Sequence, residues 1–410
     1  MPESQQVDVV VVGGGIIGLS IAWRARQTGM SVTVLERDRA GEGASHVAAG
    51  MLAPVAEVEF GDAGRGLLEL GLLSAAMWQA FASDLETSTG VSVGLMQTGT
   101  LLAARDDDDA RELERQLAFR QSLGLAVRRL RPSQARELEP ALAPTVRLAL
   151  EAPDDHSVDP RLVLAALARA CTQTGVEIRG HSPVMRVELD ETRMRISGVS
   201  LEDGERVGAD RVVLAAGAWT ERIGGLPDRA GVPVRPVRGQ ILRLRDPAGP
   251  GLLRRVLRFR GGYLVPREDG GYVLGATVEE RGFSLAPTAG GIYELLRDAH
   301  ELVPGLSELE IAELSVGLRP STPDNVPAIG PGSVDGLTWA TGHHRNGILL
   351  APITAELVAD MLVGAREPSR DQVLGDDVDL DALLHACAPA RFTAGFGHAR
   401  PTTGPPVGAV

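Results

Sequence analysis

Residues 7–36 read VDVVVVGGGIIGLSIAWRARQTGMSVTVLE, and this stretch decides the fold of the chain. An apolar run, a glycine turn, an amphipathic run and a second apolar run predict a strand, a helix and a strand. Gly13, Gly15 and Gly18 fit G-x-G-x-x-G, which permits a tight turn, a close approach to a pyrophosphate and close helix packing. Glu36 follows about 20 residues later, where a carboxylate can accept hydrogen bonds from an adenosine ribose. The stretch predicts a dinucleotide site without distinguishing NAD from FAD.

The composition argues against several classes of protein. The chain has 410 residues, 44% hydrophobic and 23% charged, as in globular proteins of roughly two to three domains. A formal net charge of −13 argues against nucleic acid as a partner, because such binding needs a basic surface. No apolar run reaches the roughly 18 residues of a membrane span, and no basic segment or cleavage site predicts a signal peptide. We therefore expect a cytoplasmic protein.

Other common site motifs are absent from the sequence. Cys171 and Cys387 lie far apart and form no C-x-x-C or Cys/His cluster, so we expect reduced thiols and no metal site. No serine lies in G-x-S-x-G, and no G-x-x-x-x-G-K-[ST] loop is present. Hydrolase and NTPase functions therefore lack support.

Buried apolar strands recur along the chain and predict a discontinuous first domain. The segment 32–36 and the later segment 211–217 both read as buried strands beside the first one. We assign to a Rossmann-like dinucleotide-binding domain the residues 1–90, 150–233 and 320–370.

A second domain is predicted by a different pattern. Residues 234–245, 256–266 and 272–278 alternate like antiparallel strands, with turns at Gly261-Gly262 and Asp269-Gly270-Gly271. We assign to a mostly antiparallel β-sheet substrate domain the residues 91–149 and 234–319. Residues 371–410 form a C-terminal extension, Pro/Gly-rich and expected to be mobile from about residue 390. The predicted fold class is α/β, or α+β overall.

Two arginines and one tyrosine lie in unusual surroundings. Arg319 lies in VGLRPSTPDNVPAIG, Arg345 in TGHHRNGILLAP and Tyr263 in GGYLVPRE. A guanidinium in an apolar, glycine-rich loop is poorly solvated unless it meets an anion, and it can bind a carboxylate through two parallel hydrogen bonds. A structural ion pair is the alternative for each arginine, and packing in a sheet is the alternative for the tyrosine. The neighbouring His343 and His344 show no metal-ligand spacing, and we expect them to be solvated or packed.

Taken together, these segments resemble the FAD-dependent D-amino-acid-oxidase family, and within it the glycine oxidases of the thiamine pathway. The matching pieces run from residue 7 to about 363 in the family's order: GGGIIGLSIAWRARQTGMSVTVLE, GASHVAAGMLAPVAE, VVLAAGAW, PVRGQ, GYLVPR, GYVLGAT, GLRPSTPDNVPAIG and GHHRNGILLAPITAELVADML. The resemblance implies FAD as the dinucleotide. It also implies non-covalent FAD, because Gly317 stands where related sarcosine oxidases carry the cysteine that binds flavin.

The resemblance also implies roles for particular residues. As catalytic residues, Arg319 would bind the substrate carboxylate, Tyr263 would assist it, and Arg345 would lie beside flavin and substrate. Val184 would contact adenine, and the helix after the GHHRNG loop would point its N-terminus at the flavin C2 carbonyl. The implied cofactor-binding residues are Gly13, Gly15, Ile16, Ile17, Gly18, Glu36, Arg37, Ala44, Ser45, Ala49, Gly50, Met51, Val184, His343, His344, Arg345, Asn346, Gly347, Ile348 and Leu349.

The implied activity is oxidative deamination of glycine, and also of sarcosine and small D-amino acids. Hydride would pass from the substrate Cα to FAD N5, giving glyoxylate, ammonia and hydrogen peroxide. The family's context further implies a homotetramer and a hand-over of the imine to thiazole synthase. Gly261 and Val278 stand where some glycine oxidases have histidine and methionine, which leaves the substrate preference open.

Three other functions remain open at this point. The nearest is a D-amino-acid or sarcosine dehydrogenase that passes electrons to another acceptor. The second alternative is a non-catalytic flavin-binding protein, and the third is an NAD-linked dehydrogenase.

Overall fold

A computed structural model describes residues 6–60, 62–190, 192, 194–227, 230–364 and 380–392. Most of the predicted C-terminal extension lies outside these residues, and so does nearly all of the part expected to be mobile. In the described part of the extension, Cys387 and Phe392 are buried. No helix of the described residues is long and apolar enough to cross a membrane.

The strands, in chain order, are β1 Gln6–Val12, β2 Val32–Leu35, β3 Met51–Leu52, β4 Thr100–Ala104, β5 Arg128–Leu130, β6 Leu148–Ala152, β7 His156–Ser157, β8 Glu177–Arg179, β9 Val184–Asp190, β10 Arg195–Leu201, β11 Arg206–Leu214, β12 Arg235–Arg245, β13 Val256–Phe259, β14 Gly262–Pro266, β15 Gly271–Gly275, β16 Glu310–Ser321, β17 Ala328–Pro331 and β18 Leu337–Thr341. The α-helices are α1 Ile16–Gln27, α2 Ala44–Val47, α3 Asp62–Thr89, α4 Asp107–Ser122, α5 Pro132–Leu138, α6 Pro160–Thr174, α7 Ala289–Leu302, α8 Ala351–Val363 and α9 Leu380–Cys387.

The first sheet contains the glycine motif and has the order β17-β18-β11-β1-β2-β8, with β10 beside β11 and β9 beside β10. The strand β1 is parallel to both β2 and β11. It is covered on both faces, since Val9 and Val11 belong to one hydrophobic core and Val10 and Val12 to another. Burial on both faces explains why this strand is a continuous valine run. The predicted Rossmann-like unit is confirmed.

The second sheet has the order β16-β12-β15-β14-β13-β4-β6-β5. All its neighbouring strands are antiparallel except β13 and β4, so the predicted mostly antiparallel sheet is also confirmed. The strands β12 and β16 pair along their whole lengths, from Arg235 with Ser321 to Arg245 with Glu310. We did not predict β16, because its glycine, proline and charged residues hide the alternation that marked the other strands. The predicted domain limits stay a prediction.

Between the two sheets lies the segment 41–56, which follows β2 and is rich in small residues. It contains α2 and β3, and β3 pairs with β7. The helix α2 contacts both α6 and β16. A β-carbon at Gly317 would lie only 3.2 Å from the Val47 side chain, so this glycine lets α2 approach the second sheet closely.

Candidate active site

The glycine turn is built so tightly that larger residues do not fit. Gly13 has a φ of 110°, and a β-carbon there would lie 2.8 Å from the Ala215 carbonyl carbon. A β-carbon at Gly18 would overlap the carbonyl oxygen of Gly13. Gly15 precedes α1 and provides no side-chain cap, and the N–H of Ile16 donates to the Ser45 hydroxyl at 3.1 Å. The positive end of α1 therefore opens into the space beyond the turn.

Glu36 directly follows β2, beside this turn, and is held by backbone donors. One carboxylate oxygen accepts from the N–H of Gly14 at 2.6 Å, and the other accepts from the N–H of Asp38 at 3.0 Å. Each carboxylate oxygen has a second lone pair, so both can still accept a hydroxyl. The ribose contact stays a prediction, now with the acceptor group fixed in place.

A cavity of about 1670 Å³ runs from the glycine turn to the second sheet. This exceeds the roughly 300–1,000 Å³ typical of small-molecule pockets and suits a ligand as long as a dinucleotide. The predicted cofactor residues that line it are Gly13, Gly15, Ile16, Ile17, Glu36, Arg37, Ala44, Ser45, Ala49, Gly50, Met51, Val184, His343, His344, Arg345, Gly347 and Ile348.

Three predicted cofactor residues do not line the cavity. Gly18 packs beneath Gly13, as described above. The Leu349 carbonyl accepts from the Ser74 hydroxyl at 2.6 Å and from the Trp78 indole at 2.9 Å. Asn346 is buried in the turn before α8. These three shape the lining and do not form its surface.

Arg319 lies at the far end of the cavity, on β16. Its Nη1 donates to the carbonyl of Arg238 at 3.2 Å and to the carbonyl of Thr277 at 3.1 Å. Within the described part of the chain, no carboxylate lies within ion-pair distance of this guanidinium. The structural ion pair that was the alternative for Arg319 is therefore not what the described residues form.

Tyr263 lies beside Arg319 on β14 and also lines the cavity. It pairs across the sheet with Arg258 on one side and Gly275 on the other. Burial raises the pKa of Tyr263 above its usual range, although the charge of Arg319 opposes this. The phenol therefore stays protonated at neutral pH and can donate a hydrogen bond.

Arg345 has acidic partners, unlike Arg319. Its Nε lies 3.3 Å from Oε2 of Glu57, and its Nη2 lies 2.6 Å from Oε1 of Glu59. Glu57 also pairs with Arg258, whose Nη1 lies 2.6 Å from Oε1. Burial acts to raise the pKa of Glu57, but the charges of Arg258, Arg345 and Arg319 outweigh it and hold that pKa below its usual range. The group at this end of the cavity is thus an ionised carboxylate among arginines.

Glu57 and Arg258 both line the cavity, and sequence reasoning missed them. For Arg258 a signal existed, because the pairing of two predicted strands puts it directly opposite Tyr263 on the same face. For Glu57 the only signal was a charged residue at the end of a small-residue segment, which is also typical of an exposed loop.

Two buried charged residues fix the backbone just before Glu57. Asp155 accepts from the N–H groups of Val55 at 3.1 Å and Ala56 at 2.5 Å. Arg120 donates to the carbonyls of the same two residues, both at 2.8 Å. Burial raises the pKa of Asp155 to about 7, even though these backbone hydrogen bonds favour its charged form. The position of Glu57 therefore depends on Asp155 and Arg120, two residues that are distant from it in sequence.

The two histidines before Arg345 are packed. Burial lowers the pKa of His343 to about 3, and its Nε2 lies 3.1 Å from the Thr354 hydroxyl. Burial, with the charges of Arg319 and Arg345, lowers the pKa of His344 to about 4. The Nδ1 of His344 lies 2.5 Å from the Ser321 hydroxyl, and both rings are neutral at pH 7.

This geometry defines a class of protein: a two-sheet dinucleotide-binding protein whose cavity ends at an arginine and a tyrosine on an antiparallel sheet. The family model described as FAD dependent oxidoreductase, DAO, matches residues 8–361. The chain belongs to this family, and the glycine turn, the helix end and the acid of β2 fit the adenosine and pyrophosphate of FAD. Neither thiol lines the cavity, and burial raises the pKa of Cys171 to about 12 and of Cys387 to about 11. FAD is therefore held without a cysteine bond.

Similar proteins include glycine oxidases and longer proteins. A bifunctional protein ThiO/ThiG of Synechocystis sp. is 36% identical over 405 residues, which are 98% of this chain and 55% of that protein. The chain thus spans about half the length of this relative. The glycine oxidase of Geobacillus kaustophilus is 35% identical over 364 residues, 88% of this chain and 93% of that protein. The crystal structure of glycine oxidase from Geobacillus kaustophilus matches with a TM-score of 0.81 and 33% identity, over 90% of this chain and 99% of that one.

Proposed function

We propose that this chain is an FAD-dependent oxidase that converts glycine, oxygen and water to glyoxylate, ammonia and hydrogen peroxide. The same site would accept sarcosine and small D-amino acids. The observation that carries the proposal is the guanidinium of Arg319, which faces the FAD cavity beside the Tyr263 phenol, donates to two carbonyls and has no carboxylate within ion-pair distance among the described residues. Its charge is available for a substrate carboxylate, and the glycine oxidases among the relatives support glycine as the substrate.

The residues of this chain would act by orientation. Arg319 offers two parallel hydrogen bonds to the carboxylate, and the protonated phenol of Tyr263 offers a third. A carboxylate fixed in this way holds the Cα hydrogen in one orientation. Holding the reacting group in place lowers the entropic cost of reaching the transition state and so raises the rate. Bound FAD supplies the hydride-accepting chemistry. At neutral pH, His344 is a weak base because its pKa is lowered to about 4, and Tyr263 has no free base form because its raised pKa keeps the phenol protonated. Neither is suited to take a proton from the substrate, so the amine is expected to react in its neutral form.

The decisive experiment combines product identification with a substitution. Glycine should yield glyoxylate and hydrogen peroxide in equal amounts under air. Arg319→Met should lower kcat/KM for glycine roughly 30- to 150-fold. This corresponds to about 2–3 kcal/mol of lost transition-state stabilisation, the contribution expected of one charge-assisted contact. Arg115 provides the control: it is exposed, pairs with Glu112 and does not line the cavity, so Arg115→Met should leave kcat/KM unchanged. Unchanged glycine kinetics in Arg319→Met would refute the carboxylate assignment, and glyoxylate without peroxide would indicate a dehydrogenase.

The cellular context is also part of the proposal. We propose that the imine product supplies thiamine thiazole synthesis, and relatives that join ThiO to ThiG in one protein support a hand-over to thiazole synthase. A homotetramer and a cytoplasmic location stay predictions. Sedimentation velocity of the purified protein tests the first of them.

A further inference from the structure

We propose that Gly239 and Gln240 are positioning residues for Arg319: the first leaves the space in which its guanidinium lies, and the second holds the carbonyl that fixes it. This inference rests on the proposed function, in which Arg319 binds the substrate carboxylate. Both residues lie on β12, which pairs with β16 along its length. Neither residue was predicted from the sequence to be a site residue.

Gly239 lies directly beneath the guanidinium. A β-carbon at this position would lie 2.5 Å from Nη2 and 2.7 Å from Cζ of Arg319, distances that real β-carbon contacts do not reach. Gly239 pairs across the sheet with Gly317, so the floor beneath Arg319 has no side chain on either strand. An alanine at position 239 would therefore push the guanidinium away from the sheet and toward the substrate.

The second contact of Arg319 depends on Gln240. The Nη1 of Arg319 donates to the carbonyl of Thr277, which lies in the segment after β15. The backbone N–H of Gln240 donates to the Thr277 hydroxyl at 2.9 Å. The Thr277 hydroxyl in turn donates to Oε1 of Glu279 at 2.6 Å. Thr277 is thus held in place partly by the strand beneath Arg319.

The side chain of Gln240 completes this arrangement and is fully buried. Its amide nitrogen donates to Oε1 of Glu279 at 2.7 Å and to the Thr288 hydroxyl at 2.9 Å. Its amide oxygen accepts from the N–H of Thr288 at 2.7 Å. One side chain therefore ties both ends of the segment 277–288 to β12, and that segment carries the Thr277 carbonyl.

The consequence for binding is geometric. A guanidinium has five N–H donors, and the two on Nη1 are used by the carbonyls of Arg238 and Thr277. The Nε and Nη2 edge donates to no carbonyl and lies beside the Tyr263 phenol, so it is left to face the carboxylate as a fork, together with that phenol. Because a fork binds well only in one plane, its height and tilt above the sheet decide how tightly the carboxylate is held.

The first test is Gly239→Ala in the FAD-loaded enzyme. We expect the KM for glycine to rise at least tenfold with kcat changed less than threefold. The dissociation constant of acetate, a carboxylate without an amine, should rise equally in a flavin absorbance titration. The dissociation constant of FAD should stay within twofold of the wild type. Gly231→Ala is the matched control, because a β-carbon at Gly231 meets nothing within 4 Å and its backbone is not in the left-handed region.

The second test uses Gln240 and keeps the proposal falsifiable if the alanine variant does not fold. Gln240→Glu places a carboxylate against Glu279 and should raise the KM for glycine and the acetate dissociation constant at least fivefold. The double variant Gln240→Glu with Glu279→Gln exchanges the two groups and restores an amide-to-carboxylate hydrogen bond between them. It should recover at least half of the loss on a logarithmic scale, a result that a general packing defect would not produce.

The outcomes separate this inference from the proposed function. If Arg319→Met weakens acetate binding while Gly239→Ala and Gln240→Glu leave it within twofold of the wild type, the positioning role is wrong and the carboxylate role stands. If Arg319→Met itself leaves acetate binding unchanged, the proposed function fails and the inference fails with it. Weakened acetate binding in all three single variants, with FAD binding intact, supports both.

Discussion

Arg319 and Arg345 lie at the same end of the cavity in similar sequence surroundings, yet the protein treats their charges differently. Both arginines lie in glycine- and proline-rich loops of the sequence. Arg319 donates to two carbonyls through Nη1 and has no carboxylate within ion-pair distance among the described residues. Arg345 lies against the carboxylates of Glu57 and Glu59, which neutralise it within the protein. Hydrogen bonding and charge compensation are separate requirements, and only the second decides which arginine can attract an anion.

The largest expected effect separates the two arginines directly. Arg319→Lys keeps the charge but loses the planar fork of N–H donors. We expect kcat/KM for glycine to fall roughly 10- to 150-fold, which corresponds to about 1.5–3 kcal/mol of transition-state stabilisation. Arg345→Lys keeps a point charge near Glu57 and Glu59, so its effect should be less than about 1 kcal/mol. Steady-state kinetics of both variants with glycine measure this. Equal losses would show that Arg345 also depends on fork geometry and would end the distinction.

The next largest effect concerns Glu57, which compensates Arg345 and Arg258 together. Glu57→Gln should lower the free energy of unfolding by about 1–3 kcal/mol, because two partly buried guanidinium groups lose their shared carboxylate. Glu59 pairs with the same Arg345 but its side chain is 62% exposed, so Glu59→Gln should cost about 0–1 kcal/mol. Urea unfolding of the two variants and the wild type measures the difference. A larger loss in Glu59→Gln would contradict the charge assignment around Arg345.

A smaller effect is expected of pH on the free energy of unfolding, through His343 in the loop that carries Arg345. The pKa of His343 is lowered to about 3 by burial, so the folded state resists protonation while the unfolded chain takes up a proton below its ordinary pKa near 6.5. The stability from this group is present above pH 6.5 and is lost as pH falls toward 3. From pH 7 to pH 5 the loss should be about 2 kcal/mol.

Its measurement is a pair of urea titrations at the two pH values on the wild type and on His343→Gln. The variant should lose about 2 kcal/mol less than the wild type over the same range. If both lose stability equally, His343 is not the group that titrates.

Much of the fold follows from local patterns. The valine run of β1, the glycines after it and the amphipathic α1 lie next to one another in sequence, so their periodicity alone predicted the first unit. The antiparallel strands β12, β13, β14 and β15 were predicted because alternation and glycine turns are also local signals. The strand β16 was not predicted. Its glycine and charged residues include Gly317 and Arg319, which line the cavity, and they interrupt the alternation that marks a strand.

The candidate site was predictable only where a motif carried it. Arg319, Tyr263 and Arg345 stood out through their neighbours in sequence, and the structure brings all three to one cavity. Glu57 and Gln240 did not stand out in this way, and Arg258 could have been found only from its strand pairing with Tyr263. What matters about each of these residues is its partner, which lies far away in the sequence: Arg258 is 201 residues from Glu57, and Gln240 is 39 residues from Glu279.

The sequence by itself determined that the chain binds a dinucleotide at the N-terminus of its first helix, because three glycines and one acid must stand at set spacings for a backbone to approach a pyrophosphate. It also determined that the chain has one Rossmann-like and one antiparallel unit. Only the tertiary structure decided that Arg345 contacts two carboxylates while Arg319 has none within ion-pair distance among the described residues. Charge compensation depends on distances of a few ångströms between side chains from distant segments, and those distances exist only once the two sheets have come together.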